Sequence, residues 1–541
     1  MRDMGNMQEK AAYFKAETDS AYLDWPVGRL LAERARQLPE RIALIVPAGP
    51  DGVPERRWTY RELELEAQKV AQALLARFAP GDHVATWAGA SPEILLLQFG
   101  AALAGIILVT VNPANRAGEL QYLLELGQAR GLFLDRVYRN LDNVEALASI
   151  NATLPQLETI IYIDEWEGFL AQGRPVVLPE VAPEAPALVL FTSGSTGKPK
   201  AAVLSHAGIL NNAALTAQRL GVPPGTVWLN TLPMFHIGGA GTLTLGCLAN
   251  AGTQVMLPAF SPEAMLDALA RYKIGIAMAV PTMLLGLLDH PAFPATDLSH
   301  LEVIVVGGTP VPPALLRRVK ASMKADISTL MGQTEAGGAM FTTRRGDAEE
   351  LVTGSVGPPI ALSEVKVIAP ADGRTLVRGE IGEICIRARS VMLGYFGAPE
   401  KTRETLDKDG WLHTGDLGLM LGNGYIQVTG RLKEMIIRGG ENIYPREVED
   451  VLAEHPAISQ AAVFGIPDEK WGEQVAAAVI LRANETVEFP ALQDYLKARI
   501  ASHKIPKIWR AVKSFPLNTS GKIQKFLLQE QIAAEEARLN G

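Results

Sequence analysis

The run FTSGSTGKPK, from Phe191 to Lys200, has a composition that suits the binding of a polyphosphate. An apolar strand, ALVLF, leads into a loop of hydroxyl side chains, glycines and lysines. Glycines let backbone N–H groups approach a ligand closely, and hydroxyl and ammonium groups bind phosphate oxygens. The loop is not a Walker A motif, because Thr192 stands at the first-glycine position and Pro199 replaces the Ser or Thr after the lysine. A surface turn is the other interpretation of a Ser/Gly-rich loop, but so particular a string favours a phosphate site.

Four further motifs follow in order along the chain. They are Met331 to Ala336 (MGQTEA), Thr414 to Gly418 (TGDLG), Gly430 to Asn442 (GRLKEMIIRGGEN) and Asn518 to Lys525 (NTSGKIQK). Glu335 offers the hard oxygen ligand that Mg²⁺ prefers beside a phosphate, and Asp416 can accept hydrogen bonds from ribose hydroxyls. Lys522 supplies a mobile point charge. Taken singly, these residues could instead be a helix start, an ordinary turn and a solvated surface lysine.

The five ordered motifs together resemble those of the AMP-forming adenylating superfamily, over nearly the whole chain. That superfamily includes acyl-CoA synthetases, nonribosomal peptide adenylation domains and beetle luciferases. The resemblance implies that a carboxylic acid is joined to the α-phosphate of ATP, with Mg²⁺ present, and that the acyl group then passes to CoA. Both reactants of the first step are anions, so the protein must neutralise charge and align the attack.

The resemblance also implies which residues bind ATP. The cradle for the phosphates comprises Thr192, Ser193, Gly194, Ser195, Thr196, Gly197, Lys198 and Lys200. The segments that flank adenine comprise Gly308, Thr309 and Pro310, with Met331, Gly332 and Gln333. Thr334 is implied to hold the α-phosphate, and Glu335 to bind Mg²⁺. Asp416 and Arg431 are implied to contact the ribose.

Three further roles follow from the resemblance. Lys522 is implied to be the catalytic lysine of adenylation, which bridges carboxylate and phosphate charge. Lys433 matches the hinge, where backbone rotation lets a small domain swing between the two half-reactions. The segment that the small domain then presents for thioester formation comprises Arg438, Gly439 and Gly440.

His236, in PMFHIGG, matches a residue that gates the carboxylate pocket of the family. A general base is not required, because a carboxylate is already ionised at neutral pH. The predicted pocket is apolar and glycine-rich, and its segments are 236–242, 280–284, 307–308 and 332–338. No acidic residue follows His236 in PMFHIGGAGTLTL, which argues against an α-amino acid. We therefore predict a fatty acid of medium to long chain, with an aryl carboxylate as the alternative.

Other functions of the same fold stay open at this point. A stand-alone adenylation enzyme and a luciferase-like oxidase share the first half-reaction. A non-catalytic regulator that binds nucleotides or acyl groups would be indicated by loss of Lys522, Glu335 or the phosphate loop, and all three are present.

The elements that position these residues alternate between helical and strand patterns. A helix is predicted for Pro26 to Gln37, a strand for the RIALIVPA that follows, a helix for Tyr60 to Phe78 and a strand for His83 to Trp87. This alternation predicts an α/β fold with largely parallel buried sheets. Short β-rich runs from about residue 351 predict a β-rich subdomain, and the last hundred residues predict a small, mobile α+β domain. The predicted domains are 1–430, which binds AMP, and 431–541.

Composition sets further limits on the function. The chain has 541 residues, 48% of them hydrophobic, and a net charge of −8, which predict a folded chain of at least two domains without affinity for nucleic acid. Two cysteines and a polar N-terminus predict no disulfides, no secretory signal and a cytoplasmic location. The apolar run from Ile94 to Val111 is read as a buried helix followed by a strand, with a membrane anchor as the alternative. A homodimer is left open.

Overall fold

The computed structural model describes residues 11–49, 52–192, 199–468, 470–483, 485–517 and 523–540. The chain divides into two compact units. The large unit comprises Phe14–Val365 and Cys385–His413, and the small unit comprises Met1–Tyr13, Lys366–Ile384 and Thr414–Gly541. The domain boundary between residues 430 and 431 stays a prediction; it falls inside the small unit.

One sheet of the large unit is mainly parallel. Its described strands are, in spatial order, Gly338–Thr342, Asp326–Gln333, Val303–Gly307, Ile276–Ala279, Val227–Asn230, Thr253–Met256, Ile42–Val46 and Arg56–Thr59. The pairs inside the sheet are parallel, and only the pair at each edge is antiparallel. Because parallel strands end at the same edge of a sheet, the segments that follow four neighbouring strands are brought together there.

A second sheet of the large unit carries the predicted phosphate loop. Its described strands are, in spatial order, Gly394–Tyr395, Lys200–Ser205, Pro186–Thr192, Ile107–Thr110, His83–Trp87, Gly131–Leu134 and Thr159–Tyr162. The four pairs from Pro186–Thr192 through Thr159–Tyr162 are parallel, and the two pairs that involve Lys200–Ser205 are antiparallel. These two sheets confirm the predicted α/β class.

Helices connect and cover these strands. The larger ones are Val27–Gln37, Tyr60–Leu75, Pro92–Ala104, Ala117–Leu126, Asn143–Ile150, His206–Leu220, Pro262–Arg271, Pro281–Leu288 and Pro313–Met323. The shorter ones are Trp166–Leu170, Thr244–Ala249, Glu349–Gly354 and Pro399–Thr405.

The apolar run that raised the membrane question is a buried helix and a buried strand. Ser91 caps the helix Pro92–Ala104 by accepting a hydrogen bond from the N–H of Ile94, and Gly105 ends it with a left-handed φ of 67°. The strand Ile107–Thr110 follows and is buried throughout. Within the described ranges, no helix is both long and apolar enough to cross a bilayer. The predicted helix and strand are thereby confirmed.

A third sheet corresponds to the predicted β-rich region. Its described strands are, in order, Tyr13–Phe14, Glu364–Ile368, Gly382–Arg387, Leu412–Met420 and Ile426–Arg431. The division between the two units falls within the first four of these strands.

The end of the chain has the predicted α+β pattern. The described strands of its sheet are Glu441–Ile443, Ile436–Arg438, Gly472–Leu481, Ile458–Asp468 and Ile508–Ala511. The helices of this part are Pro445–Ala453, Phe489–Lys497 and Lys525–Asn540. A 3₁₀ turn, Leu432–Glu434, precedes the sheet.

Candidate functional site

The strands on both sides of the predicted phosphate loop form an antiparallel pair. In its register, Thr192 lies opposite Lys200, so the loop begins and ends at the same point. The predicted cradle residues Ser193, Gly194, Ser195, Thr196, Gly197 and Lys198 lie outside the described residues. The two that are described, Thr192 and Lys200, stand side by side at the carboxyl end of the first strand, where α/β sheets bind ligands.

Glu335 lies beside this pair of strands, although 143 positions separate it from Thr192 in the chain. The Thr192 hydroxyl donates to Glu335 Oε1 at 3.0 Å, and the Tyr395 hydroxyl donates to the same oxygen at 2.8 Å. The main chain turns at Thr334–Gly337, closed by a hydrogen bond from the N–H of Gly337 to the carbonyl of Thr334. Glu335 is therefore held in a turn, with one carboxylate oxygen fixed by two hydroxyls.

Tyr395 is a residue of this cluster that the sequence did not reveal. Its strand pairs with the loop's second strand, with Ala202 opposite Tyr395, and its ring lies 4.5 Å below the Lys200 ammonium. Burial, followed by the negative charge and hydrogen bond of Glu335, raises the pKa of Tyr395 above its usual value. The phenol therefore stays protonated and donates to the carboxylate. A carboxylate, a cation and two hydroxyls meet here, a donor set that fits Mg²⁺ and phosphate.

The segments predicted to flank adenine follow neighbouring parallel strands. Gly308, Thr309 and Pro310 come directly after Val303–Gly307, and Met331, Gly332 and Gln333 end the adjacent strand Asp326–Gln333. Gly308 has a φ of 81°, and a Cβ there would lie 3.3 Å from Val280 Cγ1. The glycine therefore permits both the turn and a close approach to the next strand's end. These segments share one edge of the sheet, as expected for a ligand site.

His236 lies in the segment that follows the strand Val227–Asn230, at the same edge of the same sheet. It is half-buried, and its carbonyl accepts hydrogen bonds from the N–H groups of Gly239 and Ala240. A π-helical turn, Gly238–Leu243, follows, and such turns are frequent at functional sites. A Cβ at Gly239 would lie 2.4 Å from the Pro233 carbonyl oxygen, so this close packing requires glycine.

Asp416 and Arg431 are paired within the small unit. They lie opposite each other in two antiparallel strands, with Arg431 Nε 3.2 Å from Asp416 Oδ1. Asp416 is 4% exposed, and its N–H donates to the Thr414 hydroxyl at 3.1 Å. Gly415, between them, has a φ of 69° that favours glycine. The two residues predicted to contact the ribose are thus paired with each other, and the ribose role itself stays a prediction.

The predicted hinge lies in a 3₁₀ turn of the small unit, and the predicted thioester segment begins at the end of the strand Ile436–Arg438. Lys433 is exposed in the 3₁₀ turn that directly follows a strand. Arg438 stacks over the Trp471 ring at 4.6 Å and donates to Gln474 at 2.8 Å. Gly439 has a φ of 60°, and a Cβ there would lie 2.9 Å from the Trp471 ring. Trp471 is a second neighbour that the sequence did not single out.

Of the two remaining predicted residues of the small unit, one lies within the described residues and one does not. Gly440 is exposed, with a φ of 86°. Lys522, the predicted adenylation lysine, lies outside the described residues. Its position therefore stays a prediction from the motif.

Comparisons with known proteins assign most of the chain to one enzyme family. The sequence profile described as "AMP-binding enzyme" matches residues 31–396, and that described as "AMP-binding enzyme C-terminal domain" matches residues 447–522. The mitochondrial medium-chain acyl-CoA ligase ACSF2 of Mus musculus is 34% identical, covering 96% of this chain and 90% of its own length.

Solved structures are also similar. ATP-bound MatB from Rhodopseudomonas palustris has 28% sequence identity and a TM-score of 0.86, covering 94% of this chain and 99% of its own. The anthranilate CoA ligase AuaEII in complex with anthranoyl-AMP has 26% identity and a TM-score of 0.86, covering 97% of this chain and 100% of its own.

Proposed function

The chain belongs to the acyl-CoA synthetases of the AMP-binding enzyme family, and from that premise we propose that it activates a fatty acid through an acyl-adenylate and transfers the acyl group to CoA. ATP, Mg²⁺ and CoA are the co-substrates and cofactor of this reaction. The observation that carries the proposal is the meeting of Thr192, Lys200 and Glu335 at the ends of two strands.

In the first half-reaction, a carboxylate oxygen of the acid attacks the α-phosphorus of ATP. The bond between the α- and β-phosphates breaks, and pyrophosphate leaves. Lys200 and Thr192 are suited to bind the departing phosphates, and Lys522 to offset charge between the acid and the α-phosphate. The Thr192 and Tyr395 hydroxyls donate to Glu335, whose carboxylate would bind Mg²⁺, and the metal would neutralise phosphate charge.

In the second half-reaction, the thiol sulfur of CoA attacks the acyl carbon and AMP leaves with the bridging oxygen. Rotation at Lys433 would replace Lys522 by the segment 438–440 for this step. Gly439 and Gly440 carry no side chain that could obstruct a narrow thiol carrier, and their positive φ values explain why glycine is required. The domain boundary at 430/431 and this rotation belong to the proposal.

The acid is proposed to be a fatty acid of medium to long chain. Support comes from the apolar, glycine-rich segments at the edge of the mainly parallel sheet, including the π-helical turn Gly238–Leu243, and from a relative that is a medium-chain acyl-CoA ligase. An aryl acid is the second candidate, because a neighbour of known structure is an anthranilate CoA ligase. A cytoplasmic location and a homodimer stay predictions, and one relative is mitochondrial.

A panel of carboxylic acids tests the proposal. Linear acids from acetate to palmitate and the aryl acids benzoate and anthranilate are assayed for pyrophosphate release, with and without CoA. We expect the highest kcat/KM for a linear acid, and CoA should accelerate turnover because it removes the bound adenylate. A preference for an aryl acid would show that the substrate is an aryl acid and not a fatty acid. Turnover unaffected by CoA would indicate a stand-alone adenylation enzyme. Binding of acid and ATP without pyrophosphate release would indicate a regulator.

A further inference from the structure

Lys525, the first residue of the last helix, joins two carboxylates of the small unit. Its ammonium nitrogen lies 2.9 Å from Glu434 Oε2 and 2.7 Å from Glu449 Oε1. The Lys525 side chain is only 19% exposed, whereas most lysines are solvated. Glu434 ends the 3₁₀ turn that contains Lys433, so this ion cluster reaches the residue next to the predicted hinge.

The second carboxylate anchors the cluster in the body of the unit. Glu449 lies on the helix Pro445–Ala453 and also accepts a hydrogen bond from the N–H of Val463, in the adjacent strand, at 2.8 Å. Burial lowers the pKa of Lys525, but the charges of Glu449 and Glu434 outweigh burial and raise it overall. The lysine is therefore charged throughout the neutral range, and the cluster ties three elements together.

We propose that Lys525 is a positioning residue for adenylation, which ties the start of the last helix, three residues after Lys522, to Glu434, directly after the hinge. The proposal rests on the proposed function, because it needs an adenylation lysine and a rotation at Lys433. Lys522 precedes Lys525 by three residues, so roughly 10 Å of chain at most separates their backbones. Glu434, the first residue beyond the hinge, is held to the first residue of the last helix, so a rotation at Lys433 would move the start of that helix together with the hinge turn.

Loss of the cluster should therefore affect the two half-reactions unequally. Displacement of a catalytic group by about 1 Å can lower a rate by about 100-fold. We expect Lys525→Met to lower adenylation by roughly 10- to 100-fold. Thioester formation from a supplied acyl-adenylate does not need Lys522 and should change by less than about threefold.

A matched control exists in the same unit. Lys504 has a similarly covered side chain, 21% exposed, and its ammonium lies 2.7 Å from both oxygens of Glu447, on the same helix as Glu449. Its ion pair does not include the hinge turn. Lys504→Met should therefore reduce thermal stability without changing the ratio of the two half-reactions.

The decisive measurement is that ratio, from pyrophosphate release without CoA and thioester formation from synthetic acyl-adenylate. Lys525→Arg should keep the wild-type ratio of the two half-reactions. Glu434→Ala leaves the pair between Lys525 and Glu449 in place and should shift the ratio as Lys525→Met does. If Lys525→Met does not fold, Glu434→Ala decides. An unchanged ratio, or an equal change in Lys504→Met, overturns the positioning role. A wild-type protein that releases no pyrophosphate with any acid overturns the proposed function itself.

Discussion

Replacing Tyr395 by phenylalanine tests the assignment of Glu335 as the Mg²⁺ ligand. The variant removes the hydroxyl that donates to Glu335 Oε1 at 2.8 Å and keeps the ring that lies 4.5 Å from Lys200. A hydrogen bond to a charged group contributes about 2 kcal/mol, which corresponds to roughly a 30-fold change in an equilibrium or a rate. The donor from Thr192 remains, so the carboxylate keeps one of its two hydroxyl contacts.

The assay is kcat/KM for ATP over a range of Mg²⁺ concentrations. We expect Tyr395→Phe to lower kcat/KM by roughly 30-fold at limiting Mg²⁺ and by less at saturation. Tyr272→Phe is the control, because the Tyr272 hydroxyl donates at 2.6 Å to Glu55, a carboxylate without a predicted role, and its pKa is raised to about 12, first by burial and then by Glu55. Equal Mg²⁺ dependence of both variants and the wild type would refute the role of Glu335.

Three further predictions concern other residues. Lys433→Pro should let acyl-adenylate accumulate without passing to CoA, because proline fixes φ at the hinge. Chromatography measures acyl-adenylate and acyl-CoA, and equal rates of the two half-reactions would contradict this prediction. Asp416→Asn removes the charge that Arg431 holds at 3.2 Å and should raise the KM for ATP roughly tenfold with little change in kcat; an unchanged KM in steady-state assays would contradict a ribose contact. Burial lowers the pKa of His206 from 6.5 to about 4, so the unfolded chain binds the proton first as the pH falls. The free energy of unfolding should therefore decrease by about 3 kcal/mol between pH 6.5 and pH 4 because of this group. When unfolding in urea is measured over that interval, His206→Leu should lose less free energy of unfolding than the wild type.

Local patterns were sufficient to predict much of the fold. The strand His83–Trp87 has the predicted bounds, and the helix predicted from Pro26 begins at Val27 with Pro26 as its cap. The helix predicted to reach Phe78 ends at Leu75, because helix ends depend on packing as well as on sequence. The buried run from Ile94 to Val111 was also predictable, since glycine and proline mark where a helix stops and starts.

The contacts of Glu335 could not be predicted in the same way. Tyr395 has no local signal in VMLGYFG, and it reaches Glu335 because its strand pairs with the strand after the phosphate loop, with Ala202 opposite Tyr395. Register between strands so distant in sequence is set by tertiary packing. The same reason applies to Trp471 beneath Arg438, where two strands of the last sheet meet.

An oxygen-labelling measurement tests the acyl-adenylate directly. The protein is incubated with ATP, Mg²⁺, CoA and a fatty acid whose carboxylate carries ¹⁸O, and the products are analysed by mass spectrometry. Attack by the carboxylate on the α-phosphorus, followed by attack of the thiol on the acyl carbon, leaves one oxygen of the acid on the phosphate. We therefore expect acyl-CoA together with AMP that carries a single ¹⁸O. Acyl-CoA formed with unlabelled AMP, or with ADP and phosphate, would contradict the account.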